Sequence, residues 1–181
     1  INGGSFYQKS GAFTNKGSMI LVSGNGKSIG FNQAGGTFVN ESGATMDVSG
    51  STSDAVYGYV LADGATFSNT GTLTSVGGSG SQSHGFYQTG GTFTNEEGGV
   101  LDLTAGQSSS SNGFYQQGGE FINRGTITAK ALQLGTQYGN GFYQNGNMTN
   151  YGVIEASGGT RSNTSYSDRN NGYYIRNGNV L

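Results

Sequence analysis

Gly113-Phe114-Tyr115-Gln116-Gln117-Gly118-Gly119-Glu120-Phe121-Ile122-Asn123-Arg124-Gly125-Thr126-Ile127-Thr128 contains three short runs divided by glycines. The same phrase returns from Gly85 to Leu101 and from Gly141 to Ile154, and weaker copies begin near Phe6, Gly30, Gly58 and Gly172. Self-similarity at a fixed period is the signature of a repeat architecture and takes precedence over local propensity. Aligned on the second run, the repeats end in Asn15, Asn40, Asn69, Asn95, Asn123 and Asn150, with separations of 25, 29, 26, 28 and 27. The runs are too short for helices, and glycine interrupts any 3.6-residue pattern. Their apolar positions alternate with period two, as strands require.

Three short strands per repeat, recurring about every 27 residues, predict an all-β fold: a parallel β-helix (β-solenoid) of six to seven coils. Coils stack at about the inter-strand spacing of 4.8 Å, so the array would form a rod roughly 30 Å long. Residues 1–181 read as a single array, a fragment of a longer protein or fibre. In the first run, Phe86 and Gln88 are placed inward because Leu61 and Ile175 occupy the Gln position elsewhere. The column Gln88, Gln116, Gln144 is expected to stack amide on amide. The middle residues Tyr7, Asn32, Val60, Tyr87, Tyr115, Tyr143 and Tyr174 are expected to face outward.

In the second run Phe93 and Asn95 are placed inward, each Asn bonding its own turn and the Asn one coil away. The Gly of Asn-x-Gly is expected to supply a positive φ at the corner. In the third run the outward column reads Leu21, Asp47, Thr74, Asp102, Thr128, Glu155. The residues after each Asn place Lys16 beside Glu41 and Glu96 beside Arg124, pairings that favour this register.

Composition narrows the function classes. Thirty-six glycines without proline or a Gly-X-Y period exclude collagen. Eight basic against ten acidic residues exclude the high net charge of a disordered chain and the basic footprint of a nucleic-acid binder. With no Cys and one His, no transition-metal site of the usual kind is expected, and no cofactor. No apolar run is long enough to span a bilayer as a helix.

His84 reads as an exposed loop residue in a Ser-rich corner. Asp47 and Asp102, two coils apart in one column, would stand about 9.6 Å from each other. That is the edge of the separation used by inverting glycosidases, but both suit solvated strand positions and no enzyme is expected. The longest connections follow the third run, and the one carrying Arg161, Asp168 and Arg169 is the most charged. Such insertions emerge along one edge of a solenoid, often its binding face. The candidate binding residues are Tyr87, Tyr115, Tyr143 and Tyr174, a flat aromatic strip with Tyr7 in line beyond it. Tyr offers an apolar face and a polar tip to sugars or protein surfaces.

Phe121-Ile122-Asn123-Arg124-Gly125-Thr126-Ile127 together with Gly113-Phe114-Tyr115-Gln116 resembles the repeats of bacterial autotransporter passenger domains. The resemblance covers nearly the whole chain without a catalytic motif of that family. It implies a right-handed, secreted β-helical stalk displayed on the bacterial surface, anchored in the outer membrane through a part not present here. It also implies adhesion to host-cell glycans or proteins. The alternatives are self-association into a fibre through unpaired strand edges and, less favoured, a polysaccharide-active β-helix.

Overall fold

The computed structural model describes residues 5–24, 29–50, 57–79, 82–107, 110–132, 138–159 and 170–177. All regular structure among them is β, in three parallel sheets. The first sheet has seven strands: Phe6–Gln8, Phe31–Gln33, Tyr59–Leu61, Phe86–Gln88, Ser110–Gln116, Tyr138–Asn145 and Tyr173–Asn177. The second, with six, runs from Ala12–Asn15 to Asn147–Asn150, and the third, also with six, from Ser18–Val22 to Val153–Ser157. Each strand pairs with the equivalent strand one repeat away, so the chain is a β-solenoid of roughly 27 residues per coil. The period read from the Asn residues is therefore the coil itself.

The core is a set of columns. Phe86 stacks on Phe114 at 5.1 Å between centroids, and Phe67 on Phe93 at 4.8 Å. Phe86 also meets Phe93 at 4.9 Å, which joins the first sheet to the second. Leu73, Leu101 and Ile127 close the third side. All are fully buried. Offset stacking of this kind adds about 0.5–1.5 kcal/mol per pair to the burial of the rings.

Inside the second corner the asparagines form a continuous ladder. The Nδ2 of Asn15, Asn40, Asn69, Asn95 and Asn123 each donates to the Oδ1 of the next Asn, at 2.7–2.9 Å. The same Nδ2 atoms reach backbone carbonyls, Asn95 bonding Gly99 and Thr126. The Asn-x-Gly glycines do not serve the purpose expected of them. Positive φ belongs instead to residues such as Gly91 (φ 68°) and Gly98 (φ 81°). Gly125 is needed for room. A Cβ there would sit 2.2 Å from the Gly99 carbonyl oxygen and 2.7 Å from Asn95 Nδ2, which is itself donating along the ladder.

The glutamine column differs from the amide stack expected. Gln88 Nε2 donates to the carbonyls of Gly91 and Glu120, and Gln116 Nε2 to those of Gly119 and Asn147. Each glutamine thus fastens its own corner to the next coil through backbone. Where the next coil begins with Tyr, the phenol completes the amide: Tyr59 donates to Gln33 Oε1 and Tyr173 to Gln144 Oε1. Where it begins with Phe, Oε1 is left buried without a partner, as at Gln88 and Gln116. Phe114→Tyr should therefore supply the missing donor to Gln88 and raise stability by about 1 kcal/mol. Denaturant midpoints check it, and a destabilised variant would show that the column has no room for the hydroxyl.

Two further expectations are corrected. On the first coil Met19, Ile20 and Leu21 pair with Met46, Asp47 and Val48. Ile20, not Leu21, is therefore the outward residue, 72% exposed, while Leu21 packs against the core. Reading an apolar triplet as inward-outward-inward failed because Met19 through Val22 are all apolar and carry no alternation. Asn32 and Val60 were expected to face solvent with the tyrosines, but both are buried. The predicted charge pairs are in place, Lys16–Glu41 and Arg124–Glu96 both at 3.2 Å. At these exposures such pairs contribute at most a few tenths to 1 kcal/mol.

Candidate functional site

The repeats depart from their rule on the first sheet, where the later coils carry extra residues before the Gly-Phe-Tyr-Gln phrase. Part of that extra chain continues the sheet. Ser110, Ser111 and Asn112 pair with Tyr138, Gly139 and Asn140, extending two strands backward. The residues just before the glycine stack into a second polar ladder that the sequence reading missed. Asn140 donates from its backbone N and from Nδ2 to Asn112 Oδ1, at 3.1 and 3.0 Å. Asn171 N donates to Asn140 Oδ1 at 3.1 Å. The signal was present in the recurring Asn-Gly of Asn112-Gly113, Asn140-Gly141 and Asn171-Gly172.

His84 heads this ladder. It is 3% exposed, not a free loop residue. Asn112 N donates to His84 Nδ1 at 3.0 Å, and Asn112 Nδ2 stands 3.3 Å from the same atom. Nδ1 thus occupies the place of an Asn Oδ1, and an acceptor at Nδ1 leaves the proton of the neutral ring on Nε2. The ring lies between Tyr57 (5.5 Å, nearly parallel) and Tyr115 (4.8 Å), with Tyr87 at 5.6 Å. Burial drives its pKa down to about 3. A single His met as one residue in a Ser-rich stretch gave no sign of this, because the column that buries it is assembled from other coils.

The tyrosine strip exists but is not flat. Tyr87 and Tyr115 stack face to face at 5.1 Å and 2°. Tyr143 is turned 81° from Tyr115, and Tyr174 is tilted 35° from Tyr143. Tyr57 contacts Tyr87 at 4.9 Å, while the buried Asn32 and Val60 separate Tyr7 from the strip in register. Tyr87 donates to Gln117 Oε1, which fixes its ring. Desolvation, then the neighbouring Tyr57 and Tyr115 phenols, push the Tyr87 pKa up to about 12. Tyr87 is therefore neutral throughout the physiological range.

Strip and ladder border one groove of about 630 Å³. Tyr87, Tyr115, Tyr143 and Tyr174 line it together with His84, Asn112 and Asn140. Gln82, Ser110, Gln117 and Arg176 complete the lining. Among the described residues the surface is therefore phenolic and amide, with one cation and no carboxylate. Asp47 and Asp102 stand on the third sheet, two coils apart as expected, with Thr74 between them. Asp102 meets Lys130 at 3.7 Å. Arg161, Asp168 and Arg169 lie outside the described residues. Among the described residues no cluster of three or more His, Cys, Asp or Glu could hold a metal ion. No helix among them is long and apolar enough to cross a membrane.

Such a groove can bind an extended, uncharged or anionic polar ligand through hydroxyl and amide hydrogen bonds. No protein-family model matches this chain, and neither does any curated protein or solved structure, so what the groove does is argued from its own chemistry.

Proposed function

We propose that the chain is an adhesive segment of a secreted or surface-displayed bacterial protein, a rigid β-solenoid stalk that presents its tyrosine-lined groove to saccharides on an opposing surface. The observation that carries this reading is the position of the groove, on the face where the repeats depart from their building rule. Elsewhere the phenylalanine, asparagine and glutamine columns are accounted for by packing and hydrogen bonding. Four half-buried tyrosines bordered by Asn, Gln and Ser are left facing a cleft. Saccharides suit that lining, because each hydroxyl can both donate and accept against amides and phenols. A pyranose also advances along its chain by nearly the rise of one coil, about 4.8 Å, so successive sugars can meet successive coils. Among the described residues the groove holds no pair of acids, and binding is the activity proposed.

The test is retention of the chain on immobilised glycans and on whole cells. The triple variant Tyr87→Ser, Tyr115→Ser, Tyr143→Ser should lose roughly tenfold or more in affinity while its β-sheet circular dichroism persists. Unchanged retention by a folded triple variant would overturn the reading.

A further inference from the structure

Arg176 is where the last described coil breaks register. In that strand Tyr173 and Tyr174 pair with Phe142 and Tyr143, and Ile175 pairs with Gln144. The next partner of the preceding coil, Asn145, pairs with Asn177. Arg176 is the extra residue, so the strand carries a β-bulge at this point. Bulges bend the strand and re-aim a side chain, and they recur beside functional sites. Here the bulge brings a guanidinium into the lining of the groove, beside Tyr143 and Tyr174.

Among the described residues no carboxylate compensates the charge of Arg176. It hydrogen-bonds the Tyr143 phenol, which together with the nearby tyrosines holds its pKa above the ordinary Arg value. The described ion pairs join Lys16 to Glu41, Arg124 to Glu96 and Lys130 to Asp102, and none involves Arg176. Among the described residues no carboxylate lines the groove. A guanidinium offers five donors in a planar fork that fits a carboxylate or sulfate by two parallel hydrogen bonds. A phenol can occupy only part of that capacity.

We infer that the groove takes an acidic saccharide chain, with the anionic group of one sugar held by Arg176 and the neighbouring sugars lying along Tyr143 and Tyr115 toward His84. The inference rests on the saccharide-binding reading and narrows it to a charge class. The neutral part of the groove supplies hydrogen bonds to any sugar, and the bulge supplies the selection. Attraction to an exposed guanidinium is screened by salt, so affinity should fall as ionic strength rises.

Isothermal titration of the full chain with three hexasaccharides tests this. The probes are hyaluronan, its carboxyl-reduced neutral derivative, and carboxyl-reduced chondroitin sulfate, which carries sulfate without carboxylate and so distinguishes the two anions. The unreduced hyaluronan or the sulfated probe should bind at least about tenfold more tightly than the neutral derivative, the expected share of a charge-assisted pair. Arg176→Gln should erase that difference between charged and neutral probes, and Arg176→Lys should restore part of it. The side chain is exposed, so the substitution leaves the core intact. Equal affinity for charged and neutral probes, or a difference that survives in Arg176→Gln, would overturn the inference. In that event, binding of all probes that is lost in the triple tyrosine variant would still uphold the saccharide groove. Absence of binding by every probe would remove both.

Discussion

Asn95→Ala is expected to destabilise the protein by about 3–5 kcal/mol, a large share of the stability of a domain. Asn95 is fully buried at the middle of its ladder. Its Oδ1 accepts from Asn69 at 2.8 Å, and its Nδ2 donates to Asn123 at 2.9 Å and to the Gly99 and Thr126 carbonyls. Alanine deletes both ends of this link in a region closed to water: Asn123 Oδ1 loses its donor, Asn69 Nδ2 keeps only the Gly71 and Val100 carbonyls, and the Gly99 carbonyl keeps only Thr126 N. Each buried polar group so stranded costs about 1–3 kcal/mol, and losses within one network reinforce each other. The control is Thr94→Ala on the outward side of the same strand, with an expected effect within about 0.5 kcal/mol. Denaturant titration of the two variants decides the matter. If their midpoints coincide, the ladder is not what joins the coils.

Acidification should have the second large effect, and it should act through His84. The folded chain holds this imidazole neutral, with a pKa of about 3 against an ordinary 6.5. Between those values the unfolded chain binds a proton that the folded chain refuses. The stabilisation is therefore complete above pH 6.5 and is lost as the pH falls toward 3, at about 1.4 kcal/mol per unit. The hydrogen bond gives the same sign, since a proton on Nδ1 would confront the Asn112 N–H that now donates to it. Around the ring stand the Tyr57, Tyr87 and Tyr115 phenols, all uncharged in this window. Among the described residues no carboxylate lines this groove to offset the imidazolium charge. His84→Asn places an amide oxygen where the other coils already have one, so it should keep the ladder and flatten the acid limb of the stability profile. Comparing unfolding midpoints of the two proteins from pH 7 to 4 checks this. Parallel acid limbs would show that His84 is not the titrating group.

The solenoid was legible in the sequence because its determinants repeat. A Phe that recurs five times in one column, or an Asn that recurs six, identifies its own direction, and the register follows from counting. Reading failed where a position had no equivalents to average over. His84 stands alone among asparagines. Arg176 owes its position to one inserted residue, and the Met19–Val22 run lacks the alternation that separates inside from outside. The glutamine column shows a subtler limit. Its recurrence correctly placed it inside, but partner choice depends on whether the next coil starts with Phe or Tyr, and that is visible only in three dimensions. The tyrosine strip was legible as a column, while the turn of Tyr143 away from Tyr115 depends on side-chain packing that the period does not encode.

The asparagine ladder also separates reach from recognition. Each joint from Asn15 to Asn150 uses the same two atoms, so the surface a coil offers to its successor is the one it accepts from its predecessor. Removing or duplicating the 25 residues that part Asn15 from Asn40, none of which lines the groove, would re-create an identical joint. The rod would shorten or lengthen by one step of about 4.8 Å, with the bulge at Arg176 untouched. Lineages carrying this building rule can thus adjust how far a groove stands from its base by whole coils, without altering what the groove holds.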